Sequence, residues 1–245
     1  IKRRIVSIGV IHKMKGHYLD TKHPVIIENL MGIRRRKGTI QKGKKPLLIN
    51  NLKIIIDVID KELIPDLKKL RNKALLLLGF SGGFRRKELV SLNIEDAEFV
   101  FEGLKITLKK SKTDQFGEGF AKGIPHFENS IYCPVTSLKR WINLSKIKKG
   151  PIFVRFTKGS KITNTRLTDQ SVALIIKEYL LKAGIDNKNY SGHSLRSGFA
   201  TSAAEAGAEE RSIMAITGHK STEMVRRYIK EANLFKNNAL NKIKF

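Results

Sequence analysis

Histidine, arginine and tyrosine side chains that can act on a phosphate group recur toward the C-terminal end of the chain. His193 and Arg196 are three residues apart at the start of a predicted helix, so both side chains leave one face of it. His219 directly follows a glycine that ends a second predicted helix, and Tyr228 lies on a third. Arginine binds two phosphate oxygens with one rigid fork, and an activated tyrosine hydroxyl can form a covalent phosphoester. These residues therefore predict an anion clamp beside a hydroxyl nucleophile.

Sequence motifs of nucleotide-dependent and metal-dependent enzymes are missing. The glycine-rich turn Ser81-Gly82-Gly83-Phe84 has neither the Gly-Lys-Ser/Thr ending of a P-loop nor the Rossmann spacing. No cluster of carboxylates suits Mg²⁺, and the single cysteine, Cys133, permits neither a cysteine-based zinc site nor an internal disulfide. We therefore expect chemistry without a cofactor or a metal.

Charge is the most unusual bulk property of the sequence. The chain has 245 residues, and 48 Lys and Arg against 22 Asp and Glu give a net charge of +26. Such a field attracts polyanions, nucleic acid above all, although a basic packing protein of ribosomes or chromatin would share it. No apolar segment is long enough to span a membrane, and no signal peptide is evident, which predicts an intracellular, cytoplasmic protein. Because the chain begins at Ile1, we expect a fragment or a processed product.

Composition divides the chain into four predicted segments. Residues 1–37 contain two helical patterns, are far more basic than the rest, and end in the phosphate-binding candidates Arg34, Arg35, Arg36 and Lys37. Residues 38–46 are rich in Gly, Lys and Pro, as in a linker. Residues 47–231 form the main domain. Residues 232–245 form an amphipathic C-terminal helix that packs on its own domain or on a neighbouring subunit.

Periodicity in the main domain predicts a mainly α fold with a small antiparallel β-sheet, an α+β class. Apolar residues recur at helical spacing from Leu47 to Leu78, and a short helix over 84–92 carries Arg85 and Glu88, by default a surface ion pair. Apolar and polar residues alternate over 94–110, which predicts a β-hairpin, and a third strand is predicted over 119–124. Further helices are predicted over 134–144 and 168–184.

The three helices that carry the candidate chemistry are short. In the first, Leu195, Phe199 and Ala203 form the predicted buried stripe. The second runs from residue 208 to 217. The third places Met224 and Tyr228 on one face.

Four motifs, in this order, resemble the tyrosine recombinases of the phage integrase type. The segment 83–89, Gly-Phe-Arg-Arg-Lys-Glu-Leu, resembles the first arginine box, and residues 109–114 resemble the hairpin that carries the family's lysine. His-Ser-Leu-Arg at 193–196 resembles the second box, and Gly-His at 218–219 with a tyrosine nine residues after the histidine resembles the final pair. The resemblance covers about residues 47–230, whereas residues 1–46 resemble only the end of the family's core-binding domain.

The resemblance implies a catalytic role for each matching residue. Tyr228 would attack the scissile phosphate, giving a 3′-phosphotyrosyl link and a free 5′-hydroxyl. Arg85 and Arg196 would hold the nonbridging oxygens. Lys112 would protonate the leaving 5′-oxygen, and its neighbours Lys109 and Lys110 compete for that role.

The remaining matches have supporting roles. His193 would assist proton transfer at the nucleophile, His219 would hydrogen-bond the phosphate, and Glu88 would orient the surroundings of the first arginine. Arg86, which replaces a more usual apolar residue of the family, and Lys110 are candidate DNA contacts.

The resemblance also implies the activity and the partners. The expected function is site-specific recombination of double-stranded DNA by a homo-oligomer, a tetramer on paired sites and a monomer without DNA. Two alternatives remain: a type IB topoisomerase-like nicking-closing enzyme, which would use the same residues, and a non-catalytic basic DNA-binding protein.

Overall fold

The computed structural model describes residues 1–38, 43–108, 119–219, 221–232 and 239–243, and it divides into two compact units, Ile1–Gly43 and Lys44–Phe245. The first unit contains helices α1 (Lys2–Met14) and α2 (Pro24–Lys37), which confirms both helical patterns predicted there. Neither helix has a buried residue, and apolar side chains such as Val10 and Met14 are exposed. The four basic residues of the α2 C-terminus form its last turn, where they interact favourably with the helix dipole.

The second unit contains eight further helices among its described residues. They are α3 (Ile49–Lys61), α4 (Asp66–Ser81), α5 (Arg86–Ser91), α6 (Pro134–Ser145), α7 (Asp169–Lys182), α8 (Ser194–Glu205), α9 (Glu210–Thr217) and α10 (Thr222–Ala232). The helices predicted over 134–144 and 168–184 are confirmed as α6 and α7. The helix predicted from residue 208 begins two residues later, at Glu210.

Helix α4 lies at the centre of this unit. Every residue from Ala74 to Phe80 is buried, and α4 packs on α3, α5, α6, α7 and α8. A helix that is apolar on all sides has to be surrounded by other elements, and here those elements include α5 and α8, which carry the two arginine boxes. The core therefore fixes the positions from which both boxes project.

Two antiparallel sheets accompany the helices. Strands β1 (Ala97–Val100), β2 (Gly103–Leu108) and β3 (Phe120–Pro125) pair in the order β1-β2-β3, which confirms the predicted hairpin and third strand. A second sheet, β4 (Val154–Phe156) with β5 (Ile162–Arg166), was not predicted as a sheet. The mainly α fold with small antiparallel sheets matches the predicted class.

Helix α8 departs from the predicted single buried stripe. Phe199 and Ala203 are only half-buried, whereas polar residues of the same helix, Arg196 and Thr201 among them, are buried. At Gly198 the helix approaches the backbone so closely that an added Cβ would lie 1.9 Å from the carbonyl oxygen of Leu47. The amphipathic pattern failed here because α8 is enclosed on several sides and buries polar groups.

Helix α10 contains both Met224 and Tyr228, which lie one turn apart as predicted. Met224 is 52% exposed, whereas Val225 is fully buried against Ala200 and Ile213 of α8 and α9. Val225, which the sequence pattern did not single out, is therefore the residue that anchors this helix.

Two predicted segments lie largely outside the described residues. The linker over 38–46 is described only at its two ends, and of the C-terminal segment after α10 only a short 3₁₀ turn, Ala239–Lys242, is described. Within the described residues, no helix combines the length and the apolar character needed to cross a membrane.

Candidate active site

Arg85 is the residue immediately before α5, not within it, and Glu88 holds it in place. The carboxylate of Glu88 accepts a 2.9 Å bond from the Arg85 backbone N–H and a 2.6 Å bond from Arg85 Nη1. Glu88 is only 6% exposed. The default interpretation as a surface ion pair is therefore wrong: the buried carboxylate fixes both the backbone and the guanidinium of Arg85.

Arg196 is almost completely enclosed, with 1% of its surface exposed. Its Nη1 donates to the carbonyl oxygen of Gly83 at 2.9 Å and to that of Thr217. Its Nη2 is buried and has no hydrogen-bond partner among the residues that the structure describes. One side of the guanidinium is thus anchored to the protein, while the other side presents an unsatisfied donor.

Thr217 fixes the orientation of the His219 ring through a hydrogen bond to Nδ1. The Thr217 hydroxyl lies 2.8 Å from His219 Nδ1 and 2.7 Å from the carbonyl oxygen of Ile213. A carbonyl oxygen can only accept a hydrogen bond, so the hydroxyl has to be the donor to Ile213. The single hydroxyl hydrogen therefore points to Ile213, and His219 Nδ1 is the donor to Thr217. In the neutral ring Nε2 then carries the lone pair. This buried Nε2 also has no partner within the described part of the chain.

Burial and nearby positive charge lower the pKa of both histidines, His193 and His219. Burial, followed by the charges of Arg196 and Arg85, lowers the pKa of His219 to about 4. Desolvation and then the same two arginines also lower the pKa of His193, although its ring reaches the surface. At neutral pH His219 is thus uncharged unless an anion binds beside it and favours the protonated ring.

Tyr228 lies next to this group on α10. Its ring centroid is 6.2 Å from that of His219, and the phenol is close enough to Arg196 to act on the pKa of that guanidinium. The side chain is half-buried, and Val225 anchors the preceding turn of α10 on α8 and α9. Helix packing therefore brings the phenol to the edge of the arginine and histidine cluster.

The predicted catalytic residues of the described part of the chain meet in one place. Arg85, Arg196, His193 and His219 act electrostatically on one another, and Tyr228 borders them. Burial, then repulsion from Arg85, lowers the pKa of Arg196 to about 10, so this arginine still carries its charge at neutral pH. In the described residues, no three His, Cys, Asp or Glu side chains are grouped as a metal site would need.

Other predicted site residues lie elsewhere. Lys109, Lys110 and Lys112 fall within residues 109–118, outside the described part of the chain. The basic residues 34–37 belong to the first unit. Arg86 is exposed next to the site, with its side chain across Gly192 and its Nη2 3.6 Å from a carboxylate oxygen of Asp169.

Two residues of the site have no role in the sequence-based prediction. Thr217 orients His219 and also accepts from Arg196, and Lys122 of β3 lies buried beside the same segments. Strand alternation does carry a signal for Lys122, because it shares the inward face of β3 with Phe120 and Ile124. A lysine at an inward strand position is unusual enough to mark it.

Comparison with known proteins gives a consistent result. The model of the phage integrase family matches residues 47–234. An integrase/recombinase xerD homolog of Selenomonas ruminantium is 43% identical over 99% of this chain and 71% of its own length. Tyrosine recombinase XerC of Syntrophus aciditrophicus is 32% identical over 66% of this chain and 50% of its own length. The chain thus spans between 50% and 71% of the length of these two relatives.

Solved structures support the fold. The crystal structure of XerA recombinase has a TM-score of 0.60 at 20% identity, covering 98% of this chain and 74% of that protein. A XerH recombinase in a post-cleavage complex with its difH DNA has a TM-score of 0.61 at 20% identity, covering 80% of this chain and 54% of that protein. Together with the family match, these similarities confirm the resemblance seen in the motifs: the chain belongs to the phage integrase family, the tyrosine recombinases.

Proposed function

We propose that this protein cuts and rejoins double-stranded DNA at paired specific sites through a covalent 3′-phosphotyrosine at Tyr228. One observation carries the proposal. Two buried nitrogens, Nη2 of Arg196 and Nε2 of His219, have no partner among the described residues and belong to one cluster bordered by the Tyr228 phenol. Buried polar atoms are rarely left without a partner, so such a pair marks the place of a ligand that supplies one.

A DNA phosphate suits these atoms. Arg85 and Arg196 carry positive charge at any working pH, and their guanidinium groups bind phosphate oxygens in a fixed geometry. The charge on those oxygens increases as the phosphorane forms, so cations already held in place by Glu88 and by backbone carbonyls stabilise the transition state more than the ground state. The two arginines thus lower the activation barrier for cleavage without having to move during the reaction.

Proton transfer completes the proposed reaction. The Tyr228 oxygen forms a bond to phosphorus, its proton leaves with the help of His193, and the bond to the 5′-oxygen breaks. Lys112 then supplies the proton to that 5′-oxygen. A bound phosphate favours the charged form of His219, whose Nε2 then becomes a donor to a nonbridging oxygen. The phosphotyrosine retains the bond energy, so the 5′-hydroxyl of another strand can reverse the step without ATP.

Assembly on DNA follows from the same family membership. Two duplexes have to be brought together for strand exchange, so we propose a homo-oligomer, a tetramer on paired sites, acting on DNA inside the cell. The basic residues 34–37 and Arg86 are proposed to contact the DNA backbone. The segment 232–245 is proposed to dock on a neighbouring protomer.

A nicked suicide substrate tests the chemistry. Its 5′-hydroxyl fragment diffuses away after cleavage, so wild type should accumulate a covalent protein–DNA adduct on a denaturing gel, and Tyr228→Phe should accumulate none. Equal trapping by both proteins, or no trapping by wild type, would refute the proposal and leave a non-catalytic DNA-binding protein. Relaxation of supercoiled DNA without exchange between two duplexes would identify a topoisomerase-like enzyme instead.

A further inference from the structure

Lys122 is a buried cation for which the proposed reaction has no role. It lies in β3 and is only 2% exposed. Its Nζ donates to the carbonyl oxygen of Gly82 at 2.7 Å and to that of Ile216. The rings of Phe84 and Phe120 lie 4.7 and 5.5 Å from it, at cation–π distance. The ammonium group is thus held by two carbonyl oxygens and two aromatic rings in the protein interior.

The two carbonyls belong to the segments that lead into the active site. Gly82 precedes Arg85 by three residues, and Ile216 precedes His219 by three. Arg196 makes a parallel bridge one residue further along each segment, from Gly83 to Thr217. Two adjacent cations therefore join the same two segments.

We propose that Lys122 is a positioning residue for DNA cleavage: its ammonium group fixes the turn before Arg85 against the end of α9, and thereby sets the spacing of the phosphate-binding groups. The proposal rests on the proposed function, because the spacing matters only if a phosphate is bound there. Without Lys122, the two segments would lose one of the two cationic bridges described here and would be held less rigidly, by the bonds of Arg196 and by the packing of Gly83 on Thr217.

The charge environment is consistent with this role. Glu88 is the carboxylate that attracts Lys122, while Arg85 and Arg196 repel it. Burial, opposed by Glu88 and reinforced by the two arginines, lowers the pKa of Lys122 to about 7. A buried charge is costly, and an apolar side chain of similar size would fill the space at a lower cost in stability. In both its charged and its neutral form the amino group of Lys122 has enough N–H donors to hold the two carbonyls in place, and an apolar side chain has none.

The place of Lys122 in the chain adds a second consequence. Strand β3 follows residues 109–118, which include Lys112, the proposed proton donor. The contacts of Lys122 join β3 to the segments that lead into Arg85 and His219. We therefore expect the loss of Lys122 to slow the chemical step more than DNA binding.

Single-turnover cleavage of the suicide substrate at saturating DNA tests the proposal. Lys122→Met removes the ammonium group but keeps the length of the side chain. We expect its cleavage rate to fall by about 100-fold, the cost of a roughly 1 Å misplacement of reacting groups, while the Kd for DNA changes less than about 3-fold. Lys122→Arg, which keeps a buried donor and its charge, should recover at least about 10-fold of that loss. The matched control is Lys105→Met, an exposed lysine of β2, which should cleave like wild type.

A second substrate separates positioning from proton donation. When sulfur replaces the bridging 5′-oxygen, the leaving thiolate needs no proton, so a variant lacking the acid recovers its rate. Lys112→Ala should be rescued on this substrate, and Lys122→Met should stay slow. Full rescue of Lys122→Met would overturn the positioning role and make Lys122 the proton donor.

The remaining outcomes are also decisive. If wild type traps DNA and Lys122→Met traps it equally fast, the inference fails while the proposed function stands; if wild type traps nothing, the proposed function itself fails. Thermal unfolding and circular dichroism check the fold of each variant. Should Lys122→Met not fold, Lys122→Gln replaces it, because its amide still donates to one carbonyl. Slow cleavage by folded Lys122→Gln supports the proposal, and a wild-type rate overturns it.

Discussion

Replacing Arg196 by lysine separates the geometric role of this residue from its charge. The guanidinium uses Nη1 to bind two backbone carbonyls and leaves Nη2 for the phosphate. A lysine keeps the positive charge but has one nitrogen at the end of a flexible stem, so it can bind the carbonyls or the phosphate, not both in the same geometry. Arg196→Lys should therefore keep the affinity for DNA and lose the rate of cleavage.

The size of the loss follows from the contacts. Removing one preorganised donor to a developing oxyanion costs about 3–4 kcal/mol, or roughly 100- to 1,000-fold in rate. If the lysine turns to the phosphate, the carbonyls of Gly83 and Thr217 both lose this donor, and each buried carbonyl left unpaired costs about 1–3 kcal/mol of folding stability. The variant should thus cleave at least about 100-fold more slowly and unfold at a lower denaturant concentration.

The assay compares single-turnover adduct formation with DNA binding measured at the same salt concentration. Arg140→Lys is the matched control, since Arg140 is an exposed arginine of α6 to which no role in DNA binding or cleavage is assigned. We expect the control to cleave within about 3-fold of wild type, because exposed substitutions that keep the charge have little energetic effect. Cleavage by Arg196→Lys within about 5-fold of wild type, or a loss of affinity equal to the loss of rate, would refute the reasoning.

Three further variants probe the supports of the site. Glu88→Gln keeps the shape, but its amide has one acceptor oxygen and turns an NH₂ donor toward the other N–H of Arg85, so one of the two bonds to this arginine is lost. Cleavage should fall by roughly 10-fold with little change in affinity, and an unchanged rate would contradict a positioning carboxylate. Gly198→Ala places a Cβ 1.9 Å from the Leu47 carbonyl oxygen and should destabilise the protein by about 1–3 kcal/mol in urea unfolding, whereas Gly123→Ala, with open space around it, should not. The pKa of His219 is about 4 in the folded protein against 6.5 for an exposed ring, so the unfolded state binds more protons between these values. The stability that depends on the neutral ring is therefore present above pH 6.5 and is lost, by about 3 kcal/mol, as the pH falls to 4. His219→Gln should remove that part of the pH dependence of the free energy of unfolding. Identical pH profiles of wild type and variant would contradict this.

Local patterns in the sequence predict much of this structure. Strand alternation predicted β2 and β3, and helical periodicity predicted α3, α4, α6 and α7, because the spacing of apolar residues within each segment is a local property of the sequence. The order of the motifs predicted which residues form the site, and the described ones do meet there. The burial of Val225 in α10 was not predicted, since Met224 and Val225 are both apolar and only tertiary packing selects between them.

The supports of the site were less predictable, because they join segments that are distant in sequence. Lys122 reaches a carbonyl 40 residues before it and another 94 residues after it. Alternation predicts that its side chain points inward, but not what it meets there. Thr217 likewise binds His219 through a hydroxyl whose direction depends on a third residue, Ile213, and no spacing rule gives that direction.

Backbone carbonyls, rather than acidic side chains, hold most of the positive charge in this site. The last carbonyls of α9 have no partners within the helix and form the negative end of its dipole, so they are suited to bind cations. The carbonyl oxygens of Ile216 and Thr217 accept hydrogen bonds from Lys122 and Arg196. Among the described residues, Glu88 is the carboxylate that acts on the pKa of both cations. A carbonyl fixes a cation without neutralising it, whereas an acid would cancel its charge. The cluster therefore keeps a net positive charge for an incoming phosphate, which would be lost if the same geometry were built from ion pairs.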